Sequence, residues 1–357
     1  MKEGTTPFAR RILSRLTPLH LDWIQVEVSA RCQGQCLYCP VAVLRGKREN
    51  GLMAMETFEA LLPAFPTADL VFLQGWGEPL LHPGFWEMAV KAAATGAQVG
   101  FTTNGRLLHE KNRRALLNSG VAILGVTLAG AKPETHDRYR PGSRLKALDR
   151  SLRRLKEETQ GVGAGLPHLH IAYQILPGNM AELKGAVSLA RAWGASQIVV
   201  SPLSLVLAPE LERESLHAQP GLWAVATDYL EEARGRARSE GIAFHAYRVT
   251  GPEPEPACPE NVLRSCFVSV RGDVSPCVMT NLGLEGDGDV THRFQGGDHP
   301  LRTVTFGNVQ ERPLRDIWQS DSARAFRGAI RKRIYEGRRG REGLPTPCRH
   351  CYKLFQA

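Results

Sequence analysis

Ile24-Gln25-Val26-Glu27-Val28-Ser29-Ala30-Arg31-Cys32-Gln33-Gly34-Gln35-Cys36-Leu37-Tyr38-Cys39 couples a short apolar run to three cysteines. Ile24–Val28 reads as a strand, and the cysteines follow on its loop as C-x3-C-x2-C. Three thiolates on one loop can ligate three irons of a [4Fe–4S] cluster. With no fourth cysteine nearby, one iron stays open to an outside ligand, much as catalytic zinc sites keep an open position. Two other readings stand beside this one. A zinc site usually takes four closed protein ligands, and the nearest histidines, His20 and His82, sit at no familiar zinc spacing. The third reading is three unrelated buried cysteines.

Outward from this loop, a βα rhythm runs from about Trp23 to Leu203. The strands are expected at Ile24–Val28, Leu70–Gln74, Gln98–Thr102, Ala122–Leu128, His170–Ile175 and Gln197–Ser201. Helices are expected between them at Glu56–Ala64, Gly84–Ala94, Glu110–Asn118, Arg144–Glu158 and Met180–Trp193, where apolar residues recur every three or four positions. Strands alternating with helices imply parallel pairing. Pattern alone does not separate an open doubly wound sheet from a barrel. The stretch from Leu205 to Arg248 reads as mostly helical.

A stiff connector follows, Pro252-Glu253-Pro254-Glu255-Pro256, because alternating proline continues neither a helix nor a central strand. This divides the chain into an N-terminal extension (1–22), a βα unit (23–250) and a smaller C-terminal unit (251–357). In the last, Phe267–Pro276 reads as a hairpin around Gly272-Asp273, and a helix is expected near Pro313–Arg331. Cys258, Cys277, Cys348 and Cys351 make a second four-cysteine set, with Cys266 spare, and by spacing alone a structural zinc suits them as well as iron and sulfide do.

The chain has 357 residues, 43% hydrophobic and 23% charged, with a formal net charge of +9. That is ordinary globular composition, long enough to fold without disulfide staples. Clustered cysteines in such a chain are more often metal ligands than disulfides. No run of about 18 apolar residues spans a membrane. The basic start, Met1 to Arg15, lacks the apolar stretch of a secretory signal, so the expected location is cytoplasmic. A basic segment, Arg327, Arg331, Lys332, Arg333, Arg338, Arg339 and Arg341, reads first as a solvated face, and then as a dock for an acidic protein, peptide or electron donor. Nucleic acid is disfavoured because no aromatic platform is interleaved with these charges.

The cysteine spacing, with Tyr38 just before the last cysteine, resembles the radical S-adenosylmethionine (SAM) signature. Further motifs follow in the family's order: Gln74-Gly75-Trp76-Gly77-Glu78-Pro79-Leu80-Leu81, then Thr102-Thr103-Asn104-Gly105, then Val126-Thr127-Leu128-Ala129-Gly130 with His136-Asp137-Arg138-Tyr139-Arg140. Each is weak alone; their order and placement at strand ends make the set strong. The resemblance implies an α/β fold, a partial (β/α)6 barrel plus a small C-terminal iron–sulfur domain. It also implies that SAM chelates the open iron, and that one electron from the cluster cleaves it to a 5′-deoxyadenosyl radical, which abstracts hydrogen from a substrate.

By that resemblance Cys32, Cys36 and Cys39 hold the cluster. Gly75 and Gly77 let the backbone approach SAM, Glu78 accepts from its ammonium, and Tyr38 packs beside adenine. Asn104, Thr127 and Gln174 are expected to contact SAM, and Arg140 to pair with its carboxylate, with Arg138 as substitute. Asn179 is expected to cap a helix, and His168 and His170 to share a strand face as structural residues. Ala129 stands where relatives often carry an acid. The C-terminal cysteines, with Phe306-Gly307-Asn308-Val309 and Leu314, Ile317 and Trp318, resemble the auxiliary-cluster domain of such enzymes, its short twitch form more than the full SPASM form. One auxiliary [4Fe–4S] cluster on Cys258, Cys277, Cys348 and Cys351 is the natural count, with Cys266 an alternative ligand or a buried free thiol.

The function so implied is maturation of a protein, peptide or enzyme cofactor, driven by a ferredoxin- or flavodoxin-type electron donor. The wording of Gly75-Trp76-Gly77-Glu78-Pro79-Leu80-Leu81 and Val274-Ser275-Pro276-Cys277 looks closest to maturation proteins of tungsten enzymes. Only 31 residues precede Cys32, which lowers the expectation of a leader-peptide recognition domain. The rivals are a radical SAM dehydrogenase or rearrangement enzyme acting on a sugar or aminocyclitol, and a non-catalytic iron–sulfur electron-transfer protein.

Overall fold

The computed structural model describes residues 19–160, 167–249, 254–285 and 290–356. The expected extension up to residue 18, and the boundary between 250 and 251 with Pro252 and Glu253, lie outside the described residues.

Seven strands run in chain order through one parallel sheet: β1 (Leu21–Val26), β2 (Ala68–Phe72), β3 (Gln98–Thr103), β4 (Ile123–Leu128), β5 (His168–Ile175), β6 (Gln197–Pro202) and β7 (Ala243–Ala246). On the other edge β8 (Ser265–Val268) pairs parallel with β1, from Trp23↔Ser265 to Val26↔Val268. An antiparallel hairpin returns through β9 (Asp273–Ser275), and β12 (Gly307–Asn308) pairs on its far side. The ten-strand order is β12-β9-β8-β1-β2-β3-β4-β5-β6-β7, and β10 (Thr291–Phe294) and β11 (Gly297–Pro300) form a separate hairpin. The turn at Gly272 has φ +87°, a conformation that favours glycine.

Parallel strands need crossover helices, and these bury apolar stripes on the sheet. The helices are α1 (Pro40–Val43), α2 (Met55–Glu59), α3 (Phe85–Ala94), α4 (Glu110–Asn118), α5 (Pro133–Tyr139), α6 (Leu145–Gln160), α7 (Leu183–Trp193), α8 (Trp223–Glu240), α9 (Leu314–Trp318) and α10 (Asp321–Tyr335). On α6, Leu145, Leu148, Leu152 and Leu155 are buried at three- and four-residue spacing, and on α7 so are Leu183, Ala186, Val187, Ala190 and Trp193. Each buried large aliphatic contributes about 1.5–3 kcal/mol, so the stripes hold the layers together.

The structure corrects several element boundaries. The helix expected over Glu56–Ala64 stops at Glu59; Pro63 and Pro66 turn the rest into a 3-10 segment, Leu62–Thr67. The segment 205–248 is not simply helical: three short 3-10 turns precede α8, and Ala243–Ala246 adds β7 to the sheet. The helix expected near Pro313–Arg331 is two helices, α9 and α10, divided at Ser320, whose Oγ accepts from the Ala323 N–H at 3.3 Å and caps the second. Helix α5, led by Pro133, was not expected.

Candidate active site

The C-terminal edge of β1–β5 gathers the loops that the motifs occupy. The cysteine loop leaves β1, and its last cysteine precedes Pro40 at the start of α1, where the Val43 N–H bonds to the Cys39 carbonyl at 3.0 Å. The Gly34 N–H lies 3.3 Å from Cys32 Sγ. A Cβ built on Gly34 would lie 3.3 Å from Cys32 Sγ and 3.7 Å from Cys36 Sγ, so the loop curls its thiols around its own glycine. Asn104, at the end of β3, points its amide Nδ2 at Cys32 Sγ across 3.7 Å. Burial pushes Cys32 up and Cys39 to about 12, so loading a metal here must expel thiol protons.

The glycines after β2 have a physical reason that the motif alone did not reveal. A Cβ at Gly77 would sit 2.2 Å from the Ser29 carbonyl oxygen, and one at Gly75 would sit 2.2 Å from the Glu27 side chain. The close approach that demands glycine here is to the chain leaving β1. Glu78 is 2% exposed. Its carboxylate accepts from Thr103 Oγ1 at 2.7 Å, the Asn104 N–H at 2.8 Å and the Leu80 N–H at 3.3 Å, which ties the second loop to the third. Burial raises its pKa.

Arg140 follows α5 and is buried. It donates to Tyr38 Oη at 3.1 Å and to Thr127 Oγ1, while its Nε has no partner. It makes no ion pair among the described residues. Arg138, two positions earlier, is exposed and lies over the Tyr139 ring at 4.6 Å, away from this cluster. Gln174 donates to the Ser201 carbonyl at 2.9 Å at the end of β6. Asn179 does not cap through its side chain: its amide bridges the Ala129 and Gln174 carbonyls at 3.2 and 2.9 Å and accepts from the Leu176 N–H, locking the fifth loop to the fourth. Ala129, fully buried, is fixed by that bond and by its own N–H to His136 Nδ1 at 3.3 Å. His168 sits exposed at the start of β5 beside Ser196 and Gln197, while His170 packs over Gly125, where a Cβ would lie 2.7 Å from its Nε2.

The second cysteine set converges from three segments. Cys258, Cys277, Cys348 and Cys351 line one cavity of about 800 Å³, with Ser204 and Leu205 after β6, and the ion-paired Glu260 and Lys353. Burial raises all four thiols, Cys277 to about 12 and Cys351 to about 11. Cys266 does not line that cavity; it is a core residue of β8, opposite Ile24 of β1, and burial lifts it to about 12.

Sequence reading missed the polar tie between the two regions. Glu27, 2% exposed, accepts from the Trp76 N–H at 2.8 Å and pairs with buried Arg48 at 3.6 Å. Arg48 donates to the Ala30 carbonyl at 2.9 Å and the Leu282 carbonyl at 3.0 Å, and Trp76 Nε1 to the Asn281 carbonyl at 3.1 Å. A charged residue inside an apolar strand, Glu27, was the available signal.

A zinc ion about 2.3 Å from each thiolate draws its sulfurs to within roughly 4 Å. Among the described residues, the His, Cys, Asp or Glu trio with ligand atoms within 4.8 Å of one another is His20, Asp22 and Asp69, and no trio of cysteines meets that distance. Neither cysteine set is drawn together tightly enough in this structure to enclose a single small ion.

In comparison with known proteins, residues 26–172 match the Radical SAM superfamily and residues 258–352 match SPASM, an iron–sulfur cluster-binding domain. A tungsten-containing aldehyde ferredoxin oxidoreductase cofactor-modifying protein of Pyrococcus furiosus is 22% identical over 324 residues, 88% of this chain and 85% of its own. A PqqA peptide cyclase of Granulibacter bethesdensis is 25% identical over 334 residues, 91% of this chain and 78% of its own. The solved structure of SuiB from Streptococcus suis shares the fold with a TM-score of 0.63 at 15% identity, covering 99% of this chain and 78% of that one. No described helix is long and apolar enough to cross a membrane. These domains bind iron–sulfur clusters and SAM, and the chain is a radical SAM superfamily enzyme with a C-terminal SPASM domain.

Proposed function

We propose that Cys32, Cys36 and Cys39 hold a [4Fe–4S] cluster with SAM beside it, and that the enzyme matures a protein, a peptide or an enzyme cofactor. The observation that carries the site is Arg140: a buried guanidinium with an unpartnered Nε, next to three thiols. A buried cation without a carboxylate calls for an anion, and the carboxylate of SAM is one. Glu78 has used three of a carboxylate's roughly four acceptor sites, which leaves one for the SAM ammonium. Tyr38, steadied by Arg140, offers its ring to the adenine. Thr127 holds Arg140, Gly75 and Gly77 seat their loop against β1, and Asn104 and Gln174 complete the rim. When bound, the reduced cluster and SAM together supply a 5′-deoxyadenosyl radical.

The maturation reading is supported by the two named relatives, one a cofactor-modifying protein and one a peptide cyclase, which align over most of this chain. In the second cavity we assign one auxiliary [4Fe–4S] cluster to Cys258, Cys277, Cys348 and Cys351. Four protein ligands leave no open iron, so its role is to pass electrons rather than bind substrate. A ferredoxin- or flavodoxin-type protein is the donor, and eight free cysteines suit a reducing cytoplasm.

The test is anaerobic reconstitution with iron and sulfide, then dithionite and SAM, with 5′-deoxyadenosine measured by chromatography. Wild type is expected to form it, and the Cys32, Cys36, Cys39→Ala variant to form none. A fully loaded wild type that binds no SAM in a titration sinks the reading.

A further inference from the structure

We propose that the outer face of α10 is the docking surface for an acidic one-electron carrier protein, whose electron enters at the four-cysteine centre. The electron route rests on the iron–sulfur assignment above; the docking surface does not.

Helix α10 has two unlike faces. Its inner face buries Ala323, Phe326, Ile330 and Arg333, and Phe326 and Ile330 are walls of the cavity that holds the four cysteines. Its outer face carries exposed Arg324, Arg331 and Lys332, with half-buried Arg327 between them. A protein seated there is separated from the cavity by about one helix diameter, roughly 10 Å.

The charges on this face are unpaired. Elsewhere on the chain several exposed helical arginines do pair with a carboxylate at i,i+4, Arg114 with Glu110, Arg153 with Asp149 and Arg236 with Glu240, although Arg150 and Arg238 do not. Among the described residues, Arg324, Arg327, Arg331 and Lys332 make no such ion pair. Arg324, Arg327 and Arg331 instead follow one another at three and four positions, a spacing at which like charges repel. Arg327 is squeezed hardest. It lies over the Trp318 ring at 3.9 Å, its Nη1 is buried without a partner, and burial followed by the charges of Arg331 and Arg324 lowers its pKa to about 10.

Asp321 and Glu336 stand at the two ends of this helix, but neither pairs with these four cations, and a face whose cations outnumber and miss its anions is destabilising by itself and complementary to an acidic partner. The patch also has what a contact needs besides charge. Ile334 is 38% exposed and Tyr335 is 92% exposed at its end, an apolar and aromatic anchor of the kind interfaces favour. Arg349, exposed between two of the cysteines, extends the positive field to the second centre. The transfer is simple in its balance. The reduced carrier loses one electron, the oxidised centre gains it, and no bond or proton moves.

The experiment uses the full chain with Cys32, Cys36 and Cys39→Ala, which keeps only the second centre. Into it go Arg324→Glu, Arg331→Glu and Lys332→Glu. Reduction by photoreduced flavodoxin is followed by stopped flow across a salt series, beside reduction by dithionite. The expected result is a flavodoxin rate that falls about ten-fold or more at low salt and loses its salt dependence, with the dithionite rate and iron content unchanged. An unchanged flavodoxin rate, or a parallel fall with dithionite, overturns the proposal. Should the parent variant hold no second iron centre, the cluster assignment has failed and the electron route falls with it. Calorimetric binding of oxidised flavodoxin to the wild-type chain then tests the surface alone: binding abolished by the three reversals upholds it, and binding unaffected overturns it. A single-stranded oligonucleotide that binds more tightly than flavodoxin at equal salt reassigns the face to nucleic acid and also overturns it.

Discussion

The two cysteine centres are built in opposite ways. The first takes its three thiols from eight consecutive residues on one loop, and the loops after β2, β3 and β4 then clasp that loop. The second collects Cys258, Cys277, Cys348 and Cys351 from segments that meet only when the C-terminal region has folded around β8, β9 and α10. A local set is nearly in place before it binds anything, so its loading serves chemistry. A dispersed set is brought together by folding, so its loading is coupled to stability.

That difference predicts the largest effect. Cys348→Ala with Cys351→Ala is expected to lower the unfolding free energy of the loaded protein by several kcal/mol, seen as a clearly lower unfolding midpoint, because the free energy of loading the second centre is folding free energy. Removing Cys32, Cys36 and Cys39 together is expected to leave the midpoint almost where it was while abolishing SAM cleavage. Denaturant unfolding of the two variants under anaerobic conditions makes the measurement. Equal losses of stability break the comparison.

The next effect concerns the tie between the regions. Arg48 is 4% exposed, faces Glu27, and holds the carbonyls of Ala30 on the cysteine-loop side and Leu282 on the other. Arg48→Ala leaves a buried carboxylate and two carbonyls without their partner, a loss of about 3–5 kcal/mol. Adding Glu27→Gln removes the stranded charge but keeps an oxygen for the Trp76 N–H, so the double variant is expected to recover part of the loss. A double variant less stable than the single one shows that Glu27 is held by its backbone donors and not by Arg48.

What could be read in advance follows the same division. The first loop, the strand-end motifs and most crossover helices were legible, because each is set by spacing within ten or so residues. Glu110–Asn118 agrees at both ends. The misses are of longer range. β7 hides in a segment whose neighbours are helical, and only its place beside β6 makes it a strand. Asn179 looks like a cap in sequence, yet the Ala129 carbonyl, fifty residues earlier, takes its amide. Gly75 and Gly77 were legible as glycines, but the reason for them lies across the sheet in Glu27 and Ser29. Cys266 is separated from the other four C-terminal cysteines by β8 pairing with β1, which no spacing rule contains.

The smallest effect is in pH, and both regions contribute to it. Burial holds His136 at about 3 and His170 at about 4 in the βα unit, and holds His217 and His292 at about 4 around the second region, against an ordinary 6.5. A histidine whose folded pKa is depressed stays neutral in the folded chain while the unfolded chain takes up a proton. Its contribution to stability is therefore complete above about pH 6.5 and is lost as pH falls toward its folded value. Glu27 and Glu78, whose pKa values burial raises, act with the opposite sign, so a wild-type profile alone mixes the two. His217 separates them. It stacks on Tyr352 with centroids 5.0 Å apart, and its Nε2 lies 3.1 Å from the Gln356 amide nitrogen, which has Ser204 Oγ as another partner. His217→Phe keeps the stack and leaves that amide bonded, so its cost at pH 8 is expected to be small. Between pH 6.5 and 4 the variant is expected to lose less than wild type, by at most about 3 kcal/mol. Thermal unfolding of the two proteins along one pH series reads the difference, and parallel curves mean that His217 is not held neutral by burial.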